Sequence, residues 1–190
     1  MAGLLVAAVV SGLPASASAQ PGQARKQTAP EVFNGRASVG TAAGRGDAYV
    51  TIHVDVYTIK REIDKMDAAL KTGGSTAFVQ ALKSAPVVGR FEVGGRTVSI
   101  RYAKEVTSDK GRTVTLVLDT QVYFIGGGVP GAKAREGFDV AIVQLQMDPA
   151  GVGEGKIAVA AKVKQGPNGP DVEAYEGEPV KLLSVMRKIS

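Results

Sequence analysis

Tyr49-Val50-Thr51-Ile52-His53-Val54-Asp55-Val56-Tyr57 alternates without a break. Val50, Ile52, Val54 and Val56 fall on one side of an extended chain. Tyr49, Thr51, His53, Asp55 and Tyr57 fall on the other. A period of two over nine residues predicts a strand with one buried and one wetter face, the pattern of an antiparallel sheet.

The period changes to 3.6 directly after this strand. Thr58 is placed to cap a helix, and Ile59, Ile63, Met66 and Leu70 follow at i, i+4, i+7 and i+11. Gly73-Gly74 supplies a stop, Ser75 or Thr76 a second cap, and Phe78, Val79 and Leu82 a second apolar stripe that ends at Pro86. Residues 58–85 thus read as a helical hairpin laid on a sheet.

Strand patterns surround this insertion. Upstream, 31–39 begins a strand with Val32 and Phe33, and 40–47 reads as a Gly-rich turn. Downstream, 87–93 and 96–105 flank Gly94-Gly95, a two-residue hairpin signal. Further strands are expected at 113–118, 121–125, 138–147, 156–164, 172–175 and 180–185, with turns at 108–111, 148–155 and 166–171. The whole predicts one α+β domain over 31–190 with a mostly antiparallel, meandering sheet. The pattern does not choose between an open sheet and one curled towards a barrel.

The beginning of the chain has a different character. Residues 2–13 are uncharged and apolar, Pro14 breaks the run, and Ala17-Ser18-Ala19 offers small side chains around a cut after Ala19. This predicts a secretory signal peptide at 1–19, although its first residues lack the usual Lys or Arg. Residues 20–30 (QPGQARKQTAP) are polar and aperiodic and read as a flexible mature tail. The expected destination is therefore outside the cytoplasm, in a periplasm or the medium. No second apolar stretch reaches the roughly 20 residues of a membrane-spanning helix.

Composition removes several chemistries. The chain has no Cys, no Trp and one His among 190 residues. That excludes disulfides, thiolate metal sites, a cysteine nucleophile and any site needing two imidazoles from one chain. Basic side chains outnumber acidic ones 23 to 18. The excess sits in the middle hairpins, at Arg90, Arg96, Arg101, Lys104, Lys110 and Arg112, while Asp171, Glu173, Glu176 and Glu178 cluster near the end. With only Phe91 and Tyr102 among them, the basic residues match no nucleic-acid-binding signature, so nucleic acid is not an expected partner.

The nearest approach to a catalytic pair is His53 with Asp55, two apart on the polar side of one strand. The carboxylate there would orient the imidazole as a general base. No G-x-S-x-G elbow accompanies it, and a lone His on a half-exposed strand ordinarily faces water. Gly126-Gly127-Gly128-Val129-Pro130-Gly131 matches G-x-G-x-x-G formally. The next strand follows too soon for a crossover helix, and Pro130 removes an N–H. Gly126, Gly127, Gly128 and Gly131 are instead a candidate loop for an anion or a partner's backbone. GVGEGK at 151–156 lacks the Walker pattern and reads as a hairpin turn, and Asp148 with Glu154 lacks the ligand spacing of a calcium loop. Arg45-Gly46-Asp47 is a chance tripeptide in a loop. No metal or cofactor is expected.

Several segments together resemble a group of small exported bacterial proteins of unknown function: 68–74 with 78–82, 88–95, 124–128, 137–140, 172–175 and 179–182. The resemblance spans about 31–187 and rests on packing and turn residues. It implies export, a bacterial source and a single domain, and no activity. The expected function is a non-catalytic exported binding or envelope-accessory module, with an unknown small molecule or an envelope protein as partner; a cupped sheet would take a small apolar ligand. The alternatives are an assembly partner using the glycine loop or a strand edge, and a hydrolase-type enzyme using His53 and Asp55.

Overall fold

The computed structural model describes residues 30–41, 44–122, 136–175 and 179–188. Nine strands and one helix follow in order: β1 (Glu31–Thr41), β2 (Gly44–Val54), α1 (Lys60–Ser84), β3 (Gly89–Val93), β4 (Arg96–Ser108), β5 (Gly111–Leu118), β6 (Val140–Met147), β7 (Val152–Gly166), β8 (Gly169–Tyr175) and β9 (Val180–Lys188). Every pairing is antiparallel. The order β6-β5-β4-β3-β2-β1-β9-β7 is closed by a β6–β7 pairing, so eight strands form a barrel and β8 lies beside β7. Of the two sheets left open by the sequence, the curled one forms.

Alternation fixes the inside of the barrel. Val50, Ile52 and Val54 of β2 point inward with Phe33, Phe91, Ile100, Leu116, Val143, Leu145 and Leu182. Gly94 and Gly95 both take positive φ, as a two-residue turn between twisted strands requires. The GVGEGK glycines serve β7: a Cβ at Gly153 would meet the Gln146 carbonyl oxygen, and one at Gly155 would come 2.6 Å from that of Gln144. They let β7 lie tight on β6, and the expected long turn shrinks to the residues before Val152. Likewise β1 and β2 run through the expected Gly-rich turn, pairing as far as Thr41 with Gly44, and Arg45-Gly46-Asp47 lies in β2.

Half of the outer wall is covered. Met66, Leu70, Phe78, Val79 and Leu82 of α1 pack on Tyr102, Val117, Ile142, Ala158 and Val163, which point outward from β4–β7. In α1 two helical segments meet at a break at Gly74 (φ 65°, ψ −158°), at the expected Gly73-Gly74 stop, with no loop between them. Thr58 and Ser75, two of the three cap candidates, bond to strands rather than to the helix. Thr58 pairs with β4 instead, its Oγ1 accepting from the Ala103 N–H at 2.9 Å and its own N–H donating to the Ala103 carbonyl. Ser75 Oγ accepts the Val163 N–H at 3.1 Å, on β7. Ile59, the expected start of the buried stripe, is 56% exposed, and the stripe begins at Ile63.

Candidate functional site

The described polar groups that are both buried and clustered lie at one end of the barrel. Glu31 is two residues before the inward Phe33, Arg112 two before Val114, Glu105 two after Ala103 and Arg187 two after Val185. Parity therefore carries four charges from four strands into the barrel's mouth. Glu31, 6% exposed, is their centre. Its Oε2 accepts from Tyr57 Oη at 2.8 Å and from Arg112 Nη1 at 3.1 Å, and its Oε1 faces Arg187 Nε at 2.9 Å. Arg112 also contacts Glu105 and lies 5.5 Å from the centroid of the Phe33 ring. Two carboxylates and two guanidiniums balance, the condition under which buried charges are tolerated.

This environment holds Tyr57 and Arg112 in their resting forms. Burial, then the Glu31 carboxylate, pushes the Tyr57 phenol well above its ordinary range. Burial works against the charge on Arg112, but hydrogen bonds to Glu31 and Glu105 outweigh it and raise its pKa. On the outer wall, burial and then the charge of Asp67 raise Tyr102 as well. Both phenols are thus favoured protonated in the fold. Their contribution is complete below the unfolded value of about 10 and is lost as pH rises beyond it. Stability is expected to fall steeply above about pH 10, and Tyr57→Phe to flatten that limb. Urea titrations from neutral to alkaline pH measure this; an unchanged slope in the variant would refute the assignment.

His53 and Asp55 are not brought together as a catalytic pair. β2 ends at Val54, and Asp55 lies beyond it, exposed, with its N–H given to the Val88 carbonyl. Val56, expected inside, is half-exposed for the same reason. His53 sits on the outer wall beside Arg90 of β3. Arg90 Nη2 is 3.1 Å from His53 Nδ1, an approach in which the guanidinium is the donor, and His53 Nε2 is 3.7 Å from Glu92 Oε1. Hydrogen bonding from Arg90 chiefly lowers the Glu92 pKa.

The glycine loop, Gly126, Gly127, Gly128 and Gly131, lies outside the described residues, as do 1–29 with the expected signal and tail. Within the charge clusters Arg90 pairs with Glu92, Arg101 with Asp119, Arg112 with Glu105, and Glu173 with Lys162, while Glu176 and Glu178 lie outside the described residues. Among the described residues no group of His, Asp and Glu is arranged to hold a metal, and no helix is long and apolar enough to cross a membrane.

Among the described residues, two surfaces stand open to a partner. An open groove of about 370 Å³ lies between the β4–β5 and β6–β7 turns, lined by Lys110, Arg112, Gln146, Met147, Val152 and Glu154 among others. The outer wall of β9, β1 and β2 is the second. The β8 edge is less open. Pro170 has no N–H to offer, and the Val172 N–H is taken by Asp171 Oδ1 at 2.8 Å, features that blunt strand-to-strand association. The chain matches no protein-family model, and no curated protein or solved structure matches it.

Proposed function

We propose that this protein is a non-catalytic exported binding or envelope-accessory domain that meets its partner on the outside of the barrel. The observation that carries the reading is how the inside is filled. Phe33, Phe91, Ile52, Ile100, Leu116 and Leu145 are at most 2% exposed, and they occupy the room that an apolar ligand in a cupped sheet would need. At the mouth, Tyr57, Arg112 and Arg187 are all tied to the Glu31 carboxylate. The one imidazole is engaged by Arg90 and Glu92 on the outer wall.

Export rests on the apolar leader and its small-residue cut site, and the absence of cysteine suits a domain held by packing alone. Native mass spectrometry of protein purified without denaturation tests the reading. The expected spectrum shows the bare polypeptide mass. A reproducible added mass that disappears on denaturation would overturn exterior binding and restore a carrier with its ligand inside.

A further inference from the structure

The wall that α1 leaves uncovered is patterned. Lys156 of β7 and Lys181 of β9 are cross-strand partners, both exposed, and neither makes an ion pair among the described residues. Like charges placed side by side on a sheet destabilise it. On the same face Val152 of β7 is the partner of Met186 of β9, at 48% and 57% exposure. Met186 in turn neighbours Asn34 of β1, and Asn34 neighbours Thr51 of β2. Tyr49, two residues from Thr51, is 85% exposed beside Arg36. At about 4.8 Å per strand, the row from Val152 to Thr51 is roughly 14 Å wide. Among the described residues it is open, and it mixes the unpaired Lys156 and Lys181 with apolar tips; Glu154 stands between Val152 and Lys156 on β7, and Arg36 faces Asp47 at 3.7 Å.

From the unpaired lysine pair beside these apolar tips, we propose that this β7–β9–β1–β2 face binds the surface of an anionic lipid bilayer. The inference rests on the exterior-binding reading above and names its partner. Charge chooses the occupant. A second copy on the same row would bring Lys156 and Lys181 against their own equivalents with only Glu154 as counter-charge, whereas anionic headgroups would neutralise both lysines. Shape agrees, because the apolar side chains stand apart along an open face, with Val152 alone also reaching the groove between the β4–β5 and β6–β7 turns, which suits a laterally mobile interface, and tyrosine is at home at headgroup depth. The chain would lie on the bilayer: the outward positions Asn34, Arg36, Lys156 and Lys181 are not the apolar belt of a spanning barrel.

Co-sedimentation with vesicles tests the proposal, using phosphatidylcholine alone and phosphatidylcholine mixed with phosphatidylglycerol. The protein is expected to sediment with the mixed vesicles, to stay in solution with phosphatidylcholine, and to be released by salt. Lys156→Ala with Lys181→Ala should weaken partition roughly thirtyfold, and Tyr49→Ser with Met186→Ser about tenfold. All four side chains are exposed, so thermal unfolding no lower than the parent's certifies both variants, and Arg25 and Lys26 are the same in every sample. Equal binding to both vesicles, no binding to either, or variants that bind as the parent does would each overturn the lipid assignment. So would a dimer in sedimentation velocity that the lysine variant abolishes. None of these results touches the exterior-binding reading, which falls only to a ligand mass in the native spectrum.

Discussion

Glu31→Ala is expected to lower the melting temperature by about 6–20 °C, the consequence of a roughly 3–5 kcal/mol loss in a chain of this size. The carboxylate is buried and serves three donors at once: the Tyr57 hydroxyl, Arg112 and Arg187. Without it, two guanidiniums face one remaining carboxylate, Glu105, and the phenol loses its acceptor inside a closed barrel mouth. The contributions are unequal. Arg187 is well exposed and recovers hydration, so its pair contributes little, while Arg112 and Tyr57 carry most of the loss. Glu31→Gln keeps an acceptor for Tyr57 but turns a neutral amide towards Arg112, and should fall between parent and alanine variant. Adding Arg112→Met to Glu31→Ala should cost less than the two single changes together, because removing both charges leaves fewer buried groups unpaired. A Glu31→Ala protein melting within a degree or two of the parent would show that the network is an ornament of the rim.

That network marks the boundary of what the sequence reveals. Alternation at Val50, Ile52 and Val54 gives the inward face of β2 correctly, and Gly94-Gly95 gives the β3–β4 turn. Three features escape a local reading. The strand stops three residues before its alternation does, because the Asp55 and Val56 N–H groups both turn to the Val88 carbonyl. Bulges shift parity elsewhere. A register shift after Ile100 puts Tyr102 outside yet keeps Ala103 inside, and Ser184, at positive φ, lets Leu182 and Val185 both face inward. The hydroxyls of Thr58 and Ser75 look like helix caps but satisfy strand N–H groups 45 and 88 residues away. The mouth did leave a trace. Glu31, Glu105, Arg112 and Arg187 each stand two residues from an inward apolar side chain, near a strand end. Only the closure of the barrel shows that those ends meet, with 81 residues between Glu31 and Arg112.

Phe78→Ala is the second large effect expected, at about 3–5 kcal/mol. Phe78 is fully buried in the segment of α1 that follows the break at Gly74. A segment that short does not persist in water on its own propensity, so its order comes from docking. Val79 and Leu82 dock beside Phe78, and the segment ends where Arg101 Nη1 donates to the Ala85 carbonyl. Truncating the ring therefore removes the largest apolar contact of the segment while leaving the inward core intact. The loss should be local first: amides of 77–84 exchange faster than those of β1–β3, and the Val163 N–H loses protection as Ser75 withdraws. Phe78→Leu, which refills most of the volume, should recover more than half of the loss. Uniform acceleration of exchange across helix and barrel would instead mean that the covered wall and the inward core unfold as one unit. Undocking would also bare Val117, Ile142 and Ala158 on the outer wall, so the variant should aggregate on heating, at a face opposite in character to the lysine-bearing wall.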